Sequence, residues 1–345
     1  MHECIYCRVQ KEDSDFNREH VVPRMMGTYT NGFVLNSYQV CEECNSYFSR
    51  ELENKIGLNS YESFLRMRHG RAMSDGRVLR KDRTTFTGAS GLFNGLEFTP
   101  VVDNNNPERM HMEIKPCVGI ASEEREEEYD YFSLETLPEA TPAIREFLKK
   151  NPRGILTVGI QKEEALPVLQ AKGYILGDYQ YSEPPVTDLY SEDSILTQIH
   201  ISIDSIVRRI CAKTVFNYLC YKKGVDFVLD HRFDDLRNYI RYGTWSDKLN
   251  FRYSRGPVSS VEVPNDTAHV VGYMYGCGDK NWTIMGCVTW FGETTYIFTI
   301  GNSQFDMRLH PLLLPTTQMA CFNNVDLTIT EDEAVHIFGG SQKGQ

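Results

Sequence analysis

Two Cys-x-x-Cys pairs near the start of the chain are the residues whose type and spacing point most directly to chemistry. The pairs are Cys4 with Cys7 and Cys41 with Cys44. Four thiolates at such spacing can hold one tetrahedral zinc ion. Between the pairs lie His20 and side-chain amides of the kind that activate water beside a second metal. The pattern therefore predicts a small active site built on metal ions.

The spacing between the two pairs indicates more than a simple zinc ribbon. Thirty-three residues separate Cys7 from Cys41, which is longer than the usual loop between such pairs, so a further element is expected inside the zinc loop. The remaining cysteines occur singly along the chain, which favours a reducing compartment with one metal site over a disulfide framework. They are Cys117, Cys211, Cys220, Cys277, Cys287 and Cys321.

The residues inside and just after the zinc loop resemble a known family. Asn36 stands five residues before Cys41, and the motifs around it are Glu19-His20-Val21-Val22-Pro23-Arg24 and Cys41-Glu42-Glu43-Cys44-Asn45. This order is similar to the HNH endonuclease family, in its zinc-stapled ββα-metal branch, over residues 4–54. The resemblance implies a ββα-metal fold, DNA as the partner and hydrolysis of phosphodiester bonds as the reaction.

The resemblance also implies a role for each site residue. The four cysteines would hold a structural Zn²⁺, and His20 would be the general base, which its near-neutral intrinsic pKa permits. Asn36 would position the imidazole, while Glu19 and Asn45 would bind one catalytic Mg²⁺ or Mn²⁺ through oxygen atoms. Many members have aspartate in place of Glu19 and histidine in place of Asn45. Asn31 is an alternative to Asn36, although Asn31-Gly32 is typical of a turn.

The distribution of charge bears on a nucleic-acid partner. The net charge of −11 argues against one, yet residues 62–83 carry seven basic side chains and only three acidic ones. Residues 123–130 are strongly acidic, and we interpret them as a solvated face; the alternative is an acidic lid that competes with DNA. The candidate phosphate contacts, of which the first is equally explained as an ordinary surface side chain, are Arg24, Arg66, Arg68 and Arg71.

The fold class predicted for the chain is α+β. A small N-terminal zinc module is expected at residues 1–60, and it is too short to fold without a metal staple. A basic connecting helix or linker follows at 61–76. A larger mixed α+β region of unknown role occupies 77–345, with a boundary inside it expected near residue 190.

Periodicity predicts the elements of the larger region. Residues 78–87, 96–102 and 110–114 are expected to form an antiparallel sheet. Residues 268–275, 283–291 and 295–300 are expected to form a three-stranded meander. The aromatic side chains of this meander are interpreted as a sheet core, with a base-stacking platform as the alternative. One further strand is predicted at 155–160. The predicted helices are 142–150, which Thr141 is expected to cap, 163–172, 205–223 and 233–242. The broad apolar face of 205–223 indicates a core helix.

Three functions fit the sequence. The first is a metal-dependent DNA endonuclease, and the second is a non-catalytic zinc module that binds nucleic acid or a protein. The third is a regulated defence effector, in bacteria or phage, whose C-terminal region receives an activating ligand or partner protein. A homo-oligomer is expected if both DNA strands are cut. No apolar run is long enough to span a bilayer, and the first residues do not resemble a signal region. We therefore expect a cytoplasmic protein without membrane contact.

Overall fold

The structure is a computed structural model, and its described residues form two compact units. One unit contains residues 1–69 and 203–345, and the other contains residues 70–202. The domain limits predicted above stay predictions, and the boundary expected near residue 190 falls outside the described residues. The described residues are 1–30, 32–58, 60–69, 84–89, 94–103, 106–122, 129–151, 153–174, 180–182, 187–188, 197–201, 203–256, 268–277, 282–303, 316–323 and 329–335.

Short elements build residues 1–69, the N-terminal segment. Strand β1 pairs with β2 and strand β3 pairs with β4, each pair antiparallel. Helix α1 follows β4, so the order strand, strand, helix confirms the ββα arrangement implied by the resemblance. A wider π turn at Ser49–Glu53 joins α1 to α2. The bounds are β1 His2–Glu3, β2 Gln10–Lys11, β3 Glu19–His20, β4 Val34–Leu35, α1 Glu42–Phe48, α2 Asn54–Leu58 and α3 Tyr61–Arg68.

Helix α3 is the described part of the predicted basic connector. Ser60 caps it, because its hydroxyl accepts a hydrogen bond of 3.1 Å from the backbone N–H of Ser63. The helix ends at Arg68, whereas the prediction extended to residue 76. Residues 70–83, which include Arg71, lie outside the described residues.

The described residues of the second unit form two sheets and two helices. One sheet has the strand order β12-β7-β6-β5-β13 and the other β11-β10-β8-β9. The predicted antiparallel pairing of β5, β6 and β7 is confirmed. The bounds are β5 Thr84–Gly88, β6 Glu97–Asp103, β7 Asn106–Ile114, β8 Cys117–Ala121, β9 Tyr129–Phe132, α4 Pro142–Lys150, β10 Ile155–Val158, α5 Lys162–Ala171, β11 Gln180–Ser182, β12 Thr187–Asp188 and β13 Thr197–Ile201.

Packing of the two helices on the smaller sheet forms the core of this unit. Val118 and Ile155 from the sheet lie in one buried cluster with Leu148 of α4 and Leu169 of α5. Thr141 begins α4 as predicted, since its hydroxyl accepts a hydrogen bond of 3.2 Å from the backbone N–H of Ile144.

The C-terminal segment begins with three helices. They are α6 Ser205–Lys223, α7 Val225–Val228 and α8 Asp234–Tyr242. The Asp204 carboxylate caps α6 by accepting hydrogen bonds from the backbone N–H groups of Ile206 and Val207 at 2.9 and 3.1 Å. Gly224 and Gly243 end α6 and α8 with positive φ angles of 86° and 75°. The predicted limits of both long helices are therefore confirmed to within one residue.

A six-stranded antiparallel sheet follows the helices. Its strand order is β14-β17-β16-β15-β18-β19, so the predicted three-stranded meander forms its centre. The aromatic side chains predicted as a sheet core are buried where the structure describes them, among them Tyr273, Trp290 and Tyr296. The bounds are β14 Arg252–Arg255, β15 His269–Cys277, β16 Trp282–Trp290, β17 Thr294–Ser303, β18 Thr316–Phe322 and β19 Ile329–Val335.

Helix α6 packs closely against this sheet. A Cβ atom added at Gly286 of β16 would lie 2.6 Å from a methyl carbon of Val215, so the glycine permits the close approach. The indole N–H of Trp290 points at the Cys211 sulfur at 3.4 Å. Other side chains of α6 reach the N-terminal segment, as described below. Within the described residues, no helix combines the length and apolar character needed to cross a membrane.

Candidate functional site

The four paired cysteines come together as predicted. Their sulfur atoms all lie within 4.8 Å of one another, and the Sγ atoms of Cys7 and Cys41 are 3.9 Å apart. A tetrahedron of sulfurs at about 2.3 Å from a zinc ion has edges of about 3.8 Å. The donor set and its dimensions therefore fit a structural zinc ion. No other group of three or more His, Cys, Asp or Glu ligands is found among the described residues.

Local backbone geometry gathers these sulfurs. Cys4 and Cys7 lie in the turn between β1 and β2, where the backbone N–H of Arg8 donates to the Cys4 carbonyl at 3.0 Å. Cys41 is the N-cap of α1 and Cys44 lies within its first turn, so both face the same side. The backbone N–H of Cys41 also points at the Cys4 sulfur at 3.4 Å. Each Cys-x-x-Cys pair is thus arranged by its own turn.

The C-terminal helices hold the zinc segment from outside. The Arg237 guanidinium, which is 2% exposed, donates to the Ile5 carbonyl at 3.1 Å and also to the Val228 carbonyl. The Tyr6 hydroxyl donates to the Asn217 amide oxygen at 2.6 Å. Buried hydrogen bonds of this kind are costly to break because the remaining donor or acceptor stays buried with neither a partner nor water. The N-terminal segment is therefore integrated with α6 and α8.

Strand alternation separates Glu19 from His20. In the β3–β4 ribbon Glu19 is paired with Leu35, and His20 is paired with Val34. Cross-strand partners share a face, whereas neighbours along a strand face opposite sides. Glu19 and Leu35 are 4% and 1% exposed, while His20 and Val34 are partly exposed. Glu19 thus lies on the inner face of the ribbon and His20 on the outer face.

Helix α6 supplies the partners of the Glu19 carboxylate. The ammonium of Lys213 donates to it, and the Asn217 amide donates to the same oxygen at 2.9 Å. Lys213 also donates to the Glu53 carboxylate at 2.8 Å, and Asn217 donates to the His20 carbonyl at 3.2 Å. Burial would lower the pKa of Lys213, but the two carboxylates outweigh that effect and raise it. The ammonium is therefore held charged between them.

These contacts do not bring Glu19 and Asn45 together. The described contacts of the Glu19 carboxylate are with Lys213 and Asn217, whereas those of the Asn45 side chain are with residues 17 and 18. The roles of Glu19 and Asn45 as ligands of a catalytic cation stay predictions.

Two hydrogen bonds hold the Asn45 side chain against the residues that precede β3. Its amide N–H groups donate to the Asn17 side-chain oxygen at 2.6 Å and to the Arg18 carbonyl at 2.9 Å. These bonds orient the side chain and leave its Oδ1 without a donor among the described residues. These bonds anchor Asn45 to residues 17 and 18, which directly precede β3 in the sequence.

Asn36 lies just beyond the end of β4. It is exposed, and its side-chain oxygen accepts a hydrogen bond of 3.2 Å from the Ser37 hydroxyl. Residues two apart on an extended chain share a face, so Asn36 continues the face that carries Val34 and His20. No hydrogen bond joins Asn36 to the His20 ring within the described residues, and its positioning role stays a prediction. Asn31 lies outside the described residues.

The outer face of the ribbon opens onto a groove of about 300 Å³. Partial burial lowers the pKa of His20, and the nearby charges of Arg24 and Arg18 lower it further. The neutral imidazole, which can accept a proton, is therefore favoured near neutral pH. The described residues that line the groove are Arg18, His20, Val22, Gly27, Thr28, Tyr29, Gly32, Phe33, Val34 and Phe322.

The candidate phosphate-binding arginines have different surroundings. Arg24 is exposed near His20, and Arg68 forms an ion pair with Glu293. Arg66 is 4% exposed and donates to the carbonyls of Met25 and Gly57 at 3.1 and 3.0 Å. Its prediction as a nucleic-acid contact is wrong in this structure, because the guanidinium is used inside the fold.

Sequence reasoning missed the polar residues of α6. This helix was interpreted as core from its apolar positions, but Arg209, Lys213 and Asn217 recur at a spacing of four and are buried. The Arg209 guanidinium donates to the Tyr47 hydroxyl at 2.7 Å. Spacing of four places side chains along one side of a helix. Three polar residues in that register were the available signal that α6 meets a polar partner.

Comparison with known proteins identifies the N-terminal segment. Residues 4–60 match the family model described as HNH endonuclease. No curated protein and no solved structure matches the chain. The match covers the four cysteines, the β3–β4 ribbon and helices α1 and α2. Residues 4–60 are therefore an HNH domain, which a larger mixed α+β region follows in the chain.

Proposed function

We propose that this protein is a metal-dependent endonuclease that hydrolyses DNA phosphodiester bonds with its HNH domain. The observation that carries the proposal is the place of His20, on the outer face of the β3–β4 ribbon and at the edge of a groove. The four-cysteine zinc site supports it, because the zinc would hold the segment around that ribbon.

His20 is the general base in this proposal. Its lowered pKa keeps the imidazole neutral, so a ring nitrogen can take a proton from a water molecule as the water oxygen attacks phosphorus. The phosphorus–O3′ bond then breaks, and the departing 3′ oxygen takes a proton from solvent. Arg18 and Arg24 lie near His20 and bear the charge that a phosphate requires.

A divalent cation, when bound, would stabilise negative charge on the departing oxygen. Asn45 is the described residue that could bind it through Oδ1. We assign Glu19 to the support of β3, since Lys213 and Asn217 engage its carboxylate. The choice between Mg²⁺ and Mn²⁺ is part of the experiment.

The test is cleavage of supercoiled plasmid DNA by purified protein with Mg²⁺ or Mn²⁺. His20→Ala should abolish nicking while zinc content and the thermal midpoint stay unchanged. His231→Ala is the matched control, because this histidine side chain is 91% exposed and is not a groove residue. Cleavage by His20→Ala at the wild-type rate would contradict the assigned base.

A second candidate is a non-catalytic zinc module that binds nucleic acid or a protein. The ion pair between Glu19 and Lys213 favours it, because the carboxylate that the resemblance assigns to the cation is already paired. In that case neither metal should elicit cleavage, and His20→Ala should leave DNA affinity unchanged.

We also propose that this activity is regulated, as in a bacterial or phage defence effector. A regulated effector would stay silent until an activating ligand or partner protein is present. Plasmid assays with added bacterial or phage extracts separate this case from a non-catalytic module, since only an effector gains His20-dependent nicking. Cutting both strands would need two sites, so the oligomeric state is measured in the same preparations.

A further inference from the structure

The groove at His20 has an aromatic wall that hydrolysis alone does not require. Phe33 and Tyr29 come from the N-terminal segment, and Phe322 comes from strand β18. The ring centres of Phe33 and Phe322 are 5.6 Å apart, and those of Tyr29 and Phe322 are 5.1 Å apart, in edge-to-face geometry. The C-terminal sheet therefore contributes to a wall directly beside the candidate base.

Two tyrosines of helix α6 stack on the ring of Phe33. Phe33 stacks on Tyr221 with ring centres 4.5 Å apart and an interplanar angle of 18°. Tyr218, one turn earlier on the helix, is nearly parallel to Phe33 at 6.0 Å. Because aromatic rings gain from offset stacking, this arrangement holds Phe33 in a fixed orientation at the groove.

Two glycines allow Tyr29 to pack closely within this wall. A Cβ atom on Gly27 would lie 2.6 Å from the Tyr29 hydroxyl, and one on Gly32 would lie 3.2 Å from the Tyr29 carbonyl. Tyr29 is 9% exposed and packs against Phe322, so it has little room to move aside. The two glycines therefore permit the close packing of Tyr29 on this side of the groove.

We propose that this groove binds one unpaired nucleobase of the strand to be cut, next to the scissile phosphate. The proposal rests on the proposed function, which places that phosphate at His20. Every base has a π face that can stack on an aromatic side chain. A volume of about 300 Å³ lies at the lower end for small-ligand pockets and suits a single base with part of its sugar.

Charge favours a nucleotide over an apolar ligand in this groove. Arg18 lines it, and Arg24 is exposed four residues after His20, so positive charge lies near the position of a phosphate. None of the described residues that line the groove is acidic. Aromatic sides with cations at the rim match the two parts of a nucleotide, its base and its phosphate.

The proposal predicts a preference among nucleic acids. A base inside a duplex is stacked and paired, so it must leave the helix, at a free-energy cost, before it can enter the groove. A single strand, or a locally opened duplex, does not incur that cost. The substrate class is therefore DNA with an unpaired nucleotide at the cut.

Fluorescence anisotropy with wild-type protein tests the proposal without any cleavage. The probes are a labelled deoxythymidine oligonucleotide, an abasic phosphodiester strand of equal length and a duplex, all without added Mg²⁺ or Mn²⁺. We expect the deoxythymidine strand to bind about tenfold more tightly than the abasic strand and the duplex. Phe33→Leu should remove most of this difference, because it retains apolar bulk and loses the π face.

Tyr242→Leu is the matched control, since this tyrosine is 59% exposed and does not line the groove. It should retain the tenfold preference. Equal binding of the abasic and deoxythymidine strands by wild-type protein would overturn the inference, and this comparison does not depend on a variant that folds. Plasmid nicking reports the proposed function separately, so either result can fail while the other stands.

Discussion

The four cysteines and the Glu19–His20 pair belong to the same short domain, yet they obey their sequence motif to different degrees. All four sulfurs meet within 4.8 Å, as the spacing predicts. Glu19 and His20 are adjacent in sequence but face opposite sides of the β3–β4 ribbon. One motif closes on itself, and the other is divided between an outer groove and an inner ion pair.

The difference lies in where the partners are found along the chain. A turn and the start of α1 fix the cysteine pairs locally, and zinc would add its own binding energy. The Glu19 carboxylate is instead held by Lys213 and Asn217, which lie 194 and 198 residues away. A short motif is thus reliable for geometry that local backbone enforces, and less so for a side chain that a distant helix can engage.

Removing a zinc ligand should have the largest effect on the locally closed half of this comparison. Cys41→Ser leaves three thiolates, and structural zinc sites contribute about 10 kcal/mol or more to folding. We expect loss of bound zinc, measured by atomic emission, and a clearly lower thermal midpoint. Cys117→Ala is the control, because this cysteine is buried in the other unit and lies outside the cluster. Full zinc content in Cys41→Ser would refute the four-cysteine site.

Breaking the ion pair should affect the other half by a smaller amount. Lys213→Met leaves the Glu19 carboxylate buried without its cation, which typically costs about 3–5 kcal/mol. Urea unfolding should show that loss, while zinc content stays near the wild-type value. The double variant Glu19→Gln with Lys213→Met should recover part of the stability, because the uncompensated charge is gone.

Lys248→Met is the matched control, since Lys248 pairs with Asp235 at the surface and its side chain is 71% exposed. Exposed pairs of this kind contribute at most about 1 kcal/mol. If Lys213→Met is as mild as Lys248→Met, the buried pair does not hold the inner face of the ribbon, and the contrast with the cysteines weakens.

Much of the fold could be predicted from the sequence because its signals are local. Asp204 and Gly224 mark the ends of α6, and both act there through backbone hydrogen bonding and a positive φ angle. The meander strands follow from apolar alternation. What could not be predicted is which surface meets which. Lys213 is polar in a helix interpreted as core, and only the packed structure pairs it with Glu19.

The candidate site divides in the same way. His20 and the cysteines follow from residue type and spacing, whereas the aromatic wall depends on Phe322, which arrives from a strand near the other end of the chain. Arg66 was predicted from charge alone, and burial against two carbonyls gives it a different role. Charge in a sequence does not specify exposure.

The smallest expected effect concerns the outer face and sharpens the assignment of His20. Only the neutral imidazole can accept a proton, so cleavage should rise with pH through the pKa of His20, which burial, Arg24 and Arg18 hold below its ordinary value. Arg24→Gln removes one cation that favours the neutral form. The acid side of the profile of log(kcat/KM) against pH should therefore move to higher pH.

Because Arg24 is exposed, this shift should shrink as salt is added. Mobile ions weaken the interaction between exposed charges over a Debye length of about 10 Å at 0.1 M. Arg232→Gln serves as the control, because Arg232 pairs with Asp230 on another part of the same unit. A profile that moves equally in both variants would mean that net charge, and not the surroundings of His20, sets the acid limb. A shift confined to Arg24→Gln would tie the titrating base to the groove face and leave Glu19, on the inner face, outside the proton transfer.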